Sequence, residues 1–135
     1  MDWKLEVVIV PVANLDRAKA FYADQLGFHV DVDQQVRPTT RIVQLTPPGS
    51  GCSITLGDSG LSAMRPGSLK GLQLVVSDVA AARQQLVDRG VDVTPVRYVD
   101  ETGWHDGHGG PWNAFIFFDD PDGNSWTVQE KPASA

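Results

Sequence analysis

The chain states one pattern twice, and that repetition limits the folds open to it. VANLDRAKAFYADQLGFHV begins at Val12, and VSDVAAARQQLVDRGVDV begins at Val76. Asn14 aligns with Asp78, Leu15 with Val79, Ala18 with Ala82, Tyr22 with Leu86 and Asp24 with Asp88, at a constant offset of 64 residues. One residue then drops out. Gly27 falls over Gly90, Phe28 over Val91 and Val30 over Val93, at an offset of 63.

Each copy follows the same order of elements. An apolar, β-rich run comes first, LEVVIVPV in one copy and LQLVVS in the other. Asn14 or Asp78 then offers a short side chain that can cap a helix. Leu15, Ala18, Tyr22 and Leu26 recur at helical spacing, as do Val79, Ala82 and Leu86. Gly27 and Gly90 stand where a helix ends in a left-handed residue. Extended segments follow: FHVDVD, RIVQLT and CSITLG in the first copy, VDVTPVRY, NAFIFFD and SWTVQE in the second. DSGLSAMRPGS reads as the linker. The prediction is an α+β fold of two tandem βαβββ modules, residues 1–66 and 67–135. Their sheets curl into an open, trough-like mixed barrel with the helices outside. The concave face is a natural place for a small ligand.

Composition closes other routes. With 135 residues, 41% hydrophobic and 21% charged, the chain has the make-up of an ordinary globular domain. A net charge of −6 argues against nucleic acid or an anionic membrane surface as partner. Cys52 is alone, so no intrachain disulfide forms. The start MDWKLEVVIV, with Asp2 and Glu6, does not read as a signal peptide. No apolar run approaches membrane-spanning length. The expected location is the cytoplasm.

Two modules carrying LDRAKAFYADQLGF in the first and DPDGN before the last strand resemble the vicinal oxygen chelate superfamily: glyoxalase I, the bleomycin resistance proteins and the extradiol dioxygenases. The resemblance runs from about Leu5 to Glu130. It implies a divalent metal held by His, Gln or Glu, one ligand from the first and one from the last strand of each module. Counting seven residues back from Asn14 and Asp78 places the first-strand positions at Val7 and Gly71. Counting four on from Gly123 gives Thr127. Laying PPGSGCS over PDGNSWT gives Ser53, with Thr55 as the other candidate. None of these side chains is a good ligand for a first-row metal. The expectation is therefore no metal and no cofactor. A shifted register would bring in Glu6, or Gln129 and Glu130, but a one-residue slip turns a strand side chain to the opposite face.

If Val7 faces the trough, so do Ile9 and Pro11. The matching strand adds Gln73 and Val75, the last strands add Thr127, Gln129, Asn113, Phe115 and Phe117, and Ser53 and Thr55 form the fourth wall. The stretch YVDETGWHDGHGGPW, Tyr98 to Trp112, holds Glu101, His105, Asp106 and His108. It reads as a metal or acid–base loop, as a mobile Gly-rich loop facing water, or as a lid whose Trp104 and Trp112 stack on a flat ligand beside His105. His29, Asp31 and Asp33 alternate along one strand and read as solvent-facing.

The leading expectation is a metal-free protein, similar to the bleomycin resistance proteins, that sequesters an aromatic or largely apolar metabolite or antibiotic. The alternative is a glyoxalase, lyase or dioxygenase with a displaced metal site using Glu101, His105 or His108. A metal-free isomerase or cyclase using Glu6, Glu101 or Glu130 is a third. The resemblance and the sheet edges also imply a homodimer.

Overall fold

A computed structural model describes residues 1–135. The element order is β1 (Val7–Pro11), α1 (Leu15–Ala20) continued by a π-helical turn (Phe21–Gln25), β2 (His29–Arg37), β3 (Thr40–Thr46) and β4 (Ser53–Gly57). Then come β5 (Leu72–Val76), α2 (Val79–Asp88), β6 (Arg97–Asp100), β7 (Gly103–Asp106), β8 (Phe115–Asp119) and β9 (Ser125–Glu130). The chain divides into two compact units. One is Met1–Leu69 with Asp120–Asn124, and the other is Lys70–Asp119 with Ser125–Ala135. No helix is long and apolar enough to cross a membrane.

The first unit holds a sheet in the order β1-β4-β3-β2, with β1 and β4 parallel. Asn14 caps α1 by accepting the Arg17 amide at 2.9 Å. Leu15, Ala18, Tyr22 and Leu26 are all buried, together with Val10, Val43, Leu45, Ile54 and Leu56 from one sheet face. The π-helical turn explains the broken repeat. The Leu26 amide bonds the Phe21 carbonyl at 3.0 Å, five residues back, which absorbs one inserted residue without ending the helix. The first copy is longer by that residue at this place. Gly27 follows at φ 76°.

Asp33 departs from expectation. The β2–β3 register shifts between Val30 and Val32, so a bulge at Asp31 turns Asp33 to the helix side. There it binds Lys19 at 2.7 Å and Arg41 at 2.8 and 2.9 Å, while Arg41 also holds Asp16 at 2.7 Å. The Arg41 guanidinium, then the Lys19 ammonium, hold the Asp33 carboxyl well below the usual range.

The DPDGN turn belongs to the first unit. Asp120 accepts from Tyr22 Oη at 2.7 Å, Asn124 Nδ2 at 2.7 Å, and the Asp122 and Asn124 amides at 2.9 Å each. Asn124 Nδ2 also donates to the Pro11 carbonyl at 2.8 Å, and Arg17 pairs with Asp122 at 2.8 Å. The family-like motif is thus a staple joining β1, α1 and the turn.

The second unit has the order β5-β9-β8-β6-β7, with β5 and β9 parallel. Asp78 caps α2 through the Ala81 amide at 3.0 Å, and Gly90 ends it at φ 81°. Val79, Leu86, Ile116, Phe118, Trp126 and Val128 are buried. The expected strand VDVTPVRY is interrupted. Pro95 has no amide to donate, so in place of a continuous strand a bridge at Val93 with Phe118 and a bond from Thr94 N to the Phe117 carbonyl, at 3.0 Å, precede β6. The Gly-rich stretch is in turn more ordered than expected: β6 and β7 form a hairpin, turned at Asp100–Gly103.

Candidate functional site

Each sheet has one face packed under its helix, and its other face carries the predicted site residues. In the first unit Val7 lies opposite Ser53 and Ile9 opposite Thr55. Val7 and Ile9 are 40% and 37% exposed although apolar, while Ser53 and Thr55 are buried. A Cβ built on Gly57 would stand 2.9 Å from Ile9 Cγ2, which confirms that face. Ser53 Oγ shares a 2.6 Å hydrogen bond with Thr46, whose hydroxyl donates to Asp31.

In the second unit Gln73 lies opposite Thr127 and Val75 opposite Gln129. Phe117 sits across from Thr127 and Phe115 across from Gln129 on the other side of β9. Arg97 pairs with Phe115, and Val99 with Trp104. Strand alternation therefore puts Gln73, Val75, Val99, Trp104, Phe115, Phe117, Thr127 and Gln129 on one face. The Trp104 ring stands edge-on to Phe115 and to Phe117, each at 5.3 Å between centroids, and the two Phe rings are stacked at 6.3 Å. Trp104 is still 51% exposed and Val75 50% exposed. That is an aromatic platform with one indole raised over it, a geometry suited to holding a flat apolar ligand.

The polar groups on this face are few and connected. Gln129 Nε2 donates to the Trp112 carbonyl at 2.8 Å, and Gln73 Nε2 donates to Gln129 Oε1 at 2.7 Å. Arg97 approaches Asp106 at 3.4 Å.

Three predicted residues stand elsewhere. His105 pairs with Tyr98 across the hairpin and so faces away from Trp104. Its Nε2 lies 2.7 Å from the Thr102 hydroxyl and 3.1 Å from Asp100, with the ring tilted over Tyr98 at 5.3 Å. Thr102, then His105, hold the Asp100 carboxyl below its usual range. Asn113 spends its amide on the Val99 backbone, accepting from N at 3.0 Å and donating to O at 2.9 Å. It is a clamp closing the loop after β7. Trp112 presents its carbonyl to Gln129, and its ring is half exposed on a backbone at φ 61°.

His108 makes a contact the sequence did not announce. Its Nε2 donates to Glu130 Oε1 at 2.6 Å, its Nδ1 accepts the Gly110 amide at 3.1 Å, and Glu130 Oε2 accepts the Val79 amide at the start of α2 at 2.9 Å. His108 and then the Val79 amide lower the Glu130 pKa.

The residues do not fit a metal of the kind the fold family implies. With the repeats superposed, the Ile9–Thr55 pair corresponds to Gln73–Thr127, so Thr55 rather than Ser53 is the counterpart of Thr127. Val7, Gly71, Thr55 and Thr127 supply two hydroxyls and neither imidazole nor carboxylate. Nowhere do three His, Cys, Asp or Glu side chains converge.

The comparisons with known proteins agree with this architecture. The chain is similar to TnmS3, an antibiotic binding protein from Streptomyces sp. CB03234, at 34% identity and a TM-score of 0.77, covering 96% of this chain and 97% of that one. A glyoxalase/bleomycin resistance protein from the same organism is 35% identical at a TM-score of 0.73, over 93% and 99% of the two chains. A superfamily member from Sphaerobacter thermophilus DSM 20745 is 27% identical at a TM-score of 0.77, over 96% and 98%. No curated protein matches. The sequence signature spanning residues 4–128, carried on two units that each set one helix against a mixed sheet, makes this chain a member of the Glyoxalase/Bleomycin resistance protein/Dioxygenase superfamily.

Proposed function

We propose that the chain is a metal-free binding protein that sequesters an aromatic or largely apolar small molecule, a metabolite or an antibiotic. The observation that carries this reading is the half-exposed Trp104 standing over the Phe115–Phe117 stack, on a sheet face whose polar groups are two amides, the Thr127 hydroxyl and the Arg97–Asp106 pair. Ring faces left open to water gain most from a flat, apolar partner. The similarity to an antibiotic binding protein supports the same class of ligand. The ligand-position chemistry argues against the metal-dependent alternative. Of its three donors, His105 is tied to Asp100 and Thr102, His108 to Glu130, and Glu101 lies in the hairpin turn.

The test is quenching of tryptophan fluorescence by a panel of polycyclic aromatic natural products, with Trp104→Ala and Trp3→Ala side by side. Trp104→Ala should weaken any binder at least about tenfold, the usual loss for an aromatic anchor, and Trp3→Ala should not. A panel without a single binder, or equal behaviour of the two variants, refutes the proposal. We infer also a homodimer, since β1 and β5 are edge strands carrying exposed apolar side chains. Light scattering that gives a monomer at micromolar concentration would refute it.

A further inference from the structure

We propose that Arg97 makes this face a receptor for aromatic anions, so that the bound molecule carries a carboxylate or an equivalent planar anion at the edge of its ring system. The inference rests on the binding reading above and narrows its ligand class. Arg97 lies directly across from Phe115 on β8 and, on its other side, across from Asp106 on β7. Opposed side chains start about 5 Å apart and diagonal ones about 7–8 Å, so the guanidinium reaches the edge of the platform formed by Phe115 and Trp104. Its one ion-pair partner is Asp106, which meets Nε alone, at 3.4 Å, from a side chain that is 75% exposed. The N–H groups on both Nη atoms have no partner in the protein. The other carboxylates of these strands do not help. Asp100 is held by Thr102 and His105 on the far side of the hairpin, and Asp119 ends β8 roughly 13 Å from Phe115, beyond the screening length of about 8–10 Å.

A flat ligand seated on the platform strips water from a guanidinium whose side chain is already only 38% exposed. A neutral ligand gives little in return for that lost hydration. A carboxylate brings the opposite charge and two parallel acceptors, which match the guanidinium fork. The existing pair with Asp106 is long, uses one nitrogen and stands in water, so it holds the cation weakly. Gln73, Gln129 and Thr127 each carry donors and acceptors and make no such demand. Arg97 is thus a specificity residue that touches the ligand, and Asp106 is the rival counter-ion it leaves.

The experiment is equilibrium dialysis of the full chain, at neutral pH and low salt, against 2-naphthoate and 2-naphthamide. The probes share ring and shape, and the amide lacks the charge. On the native chain 2-naphthoate should bind about tenfold tighter, the size of a charge-assisted pair discounted for solvent access. Arg97→Gln should abolish or invert that preference and leave the amide's affinity unchanged, which shows the platform intact. Asp106→Asn should tighten 2-naphthoate about threefold with no change for the amide, a gain that no structural loss produces. Equal affinities on the native chain, a preference that survives Arg97→Gln, or weaker 2-naphthoate binding by Asp106→Asn overturns the proposal and leaves the binding reading standing. Failure of both probes to bind the native chain overturns the proposal, and the fluorescence panel above then decides the binding reading separately.

Discussion

Replacing Asp120 should be among the most damaging single changes in the chain. Its carboxylate is 5% exposed and accepts four hydrogen bonds, from the Tyr22 hydroxyl, Asn124 Nδ2 and two turn amides. Tyr22 and Asn124 are fully buried, so neither donor can turn to water. A hydrogen bond to a charged group contributes about 1.5–3 kcal/mol, but burying the carboxylate offsets part of that sum. The net cost of Asp120→Ala should therefore be about 3–5 kcal/mol, a large share of the roughly 5–15 kcal/mol that holds a typical domain. Asp120→Asn separates shape from charge. One oxygen still serves the two amides, but an NH2 now faces Asn124 Nδ2, and the clash should cost about 1–3 kcal/mol. Tyr22→Phe removes a single bond and should cost about 1 kcal/mol. Urea unfolding at neutral pH reads all three. With a slope of about 2 kcal/mol/M, the Asn variant's midpoint should fall by roughly 1 M at an unchanged slope. An Asp120→Ala midpoint within about 0.5 M of native, on the same slope, would show that the staple contributes little and that this energetic reasoning is wrong.

Other perturbations follow from the same geometry. Gly67→Ala should destabilise by about 3 kcal/mol or more, because Gly67 has φ 78° and a Cβ there would sit 2.0 Å from the Asp122 carbonyl oxygen; unchanged thermal stability would refute it. The Asp33 carboxyl is depressed by Arg41 and Lys19, so its contribution is complete above the ordinary pKa of about 4 and fades as pH falls below it. Native chain and Asp33→Asn should thus differ most at pH 6–7, with the gap shrinking steadily as pH falls below about 4 in urea titrations, and a gap that widens in acid would contradict the assignment. Glu130 has the same sign, with His108 as the first cause. Glu130→Gln should speed amide hydrogen exchange at Gly110 and at Val79, the two amides bonded by His108 and Glu130, and exchange unchanged at both would refute the tether.

Much of the fold was legible because it depends on local chemistry. Caps at Asn14 and Asp78, left-handed glycines at 27 and 90, and the burial of Leu15, Ala18, Tyr22 and Leu26 all follow from side-chain type and spacing. The offset change from 64 to 63 also held the π-helical turn, since one inserted residue must go somewhere, yet spacing alone does not say whether a helix widens or ends. The misses share a cause: a partner distant in sequence overrode a local pattern. The bulge at Asp31 turned Asp33 toward Lys19 and Arg41, Pro95 broke a strand that alternation favoured, and pairing with β6 ordered Gly103–Asp106 despite its glycines. At the site, alternation placed Gln73, Phe115, Phe117, Thr127 and Gln129 on one face. It could not foresee that His105 would face away from Trp104, or that Asn113 would be consumed by the Val99 backbone.

The claim on which the functional account stands is binding without a metal, and calorimetry joined to elemental analysis tests it most directly. Protein purified without chelator should contain well under one equivalent of Zn, Ni, Mn or Fe per chain, and its affinity for an aromatic ligand should be the same before and after treatment with EDTA. A stoichiometric ion whose removal abolishes binding or uncovers a lost activity would contradict the account and place this chain among the metal-dependent enzymes of its superfamily.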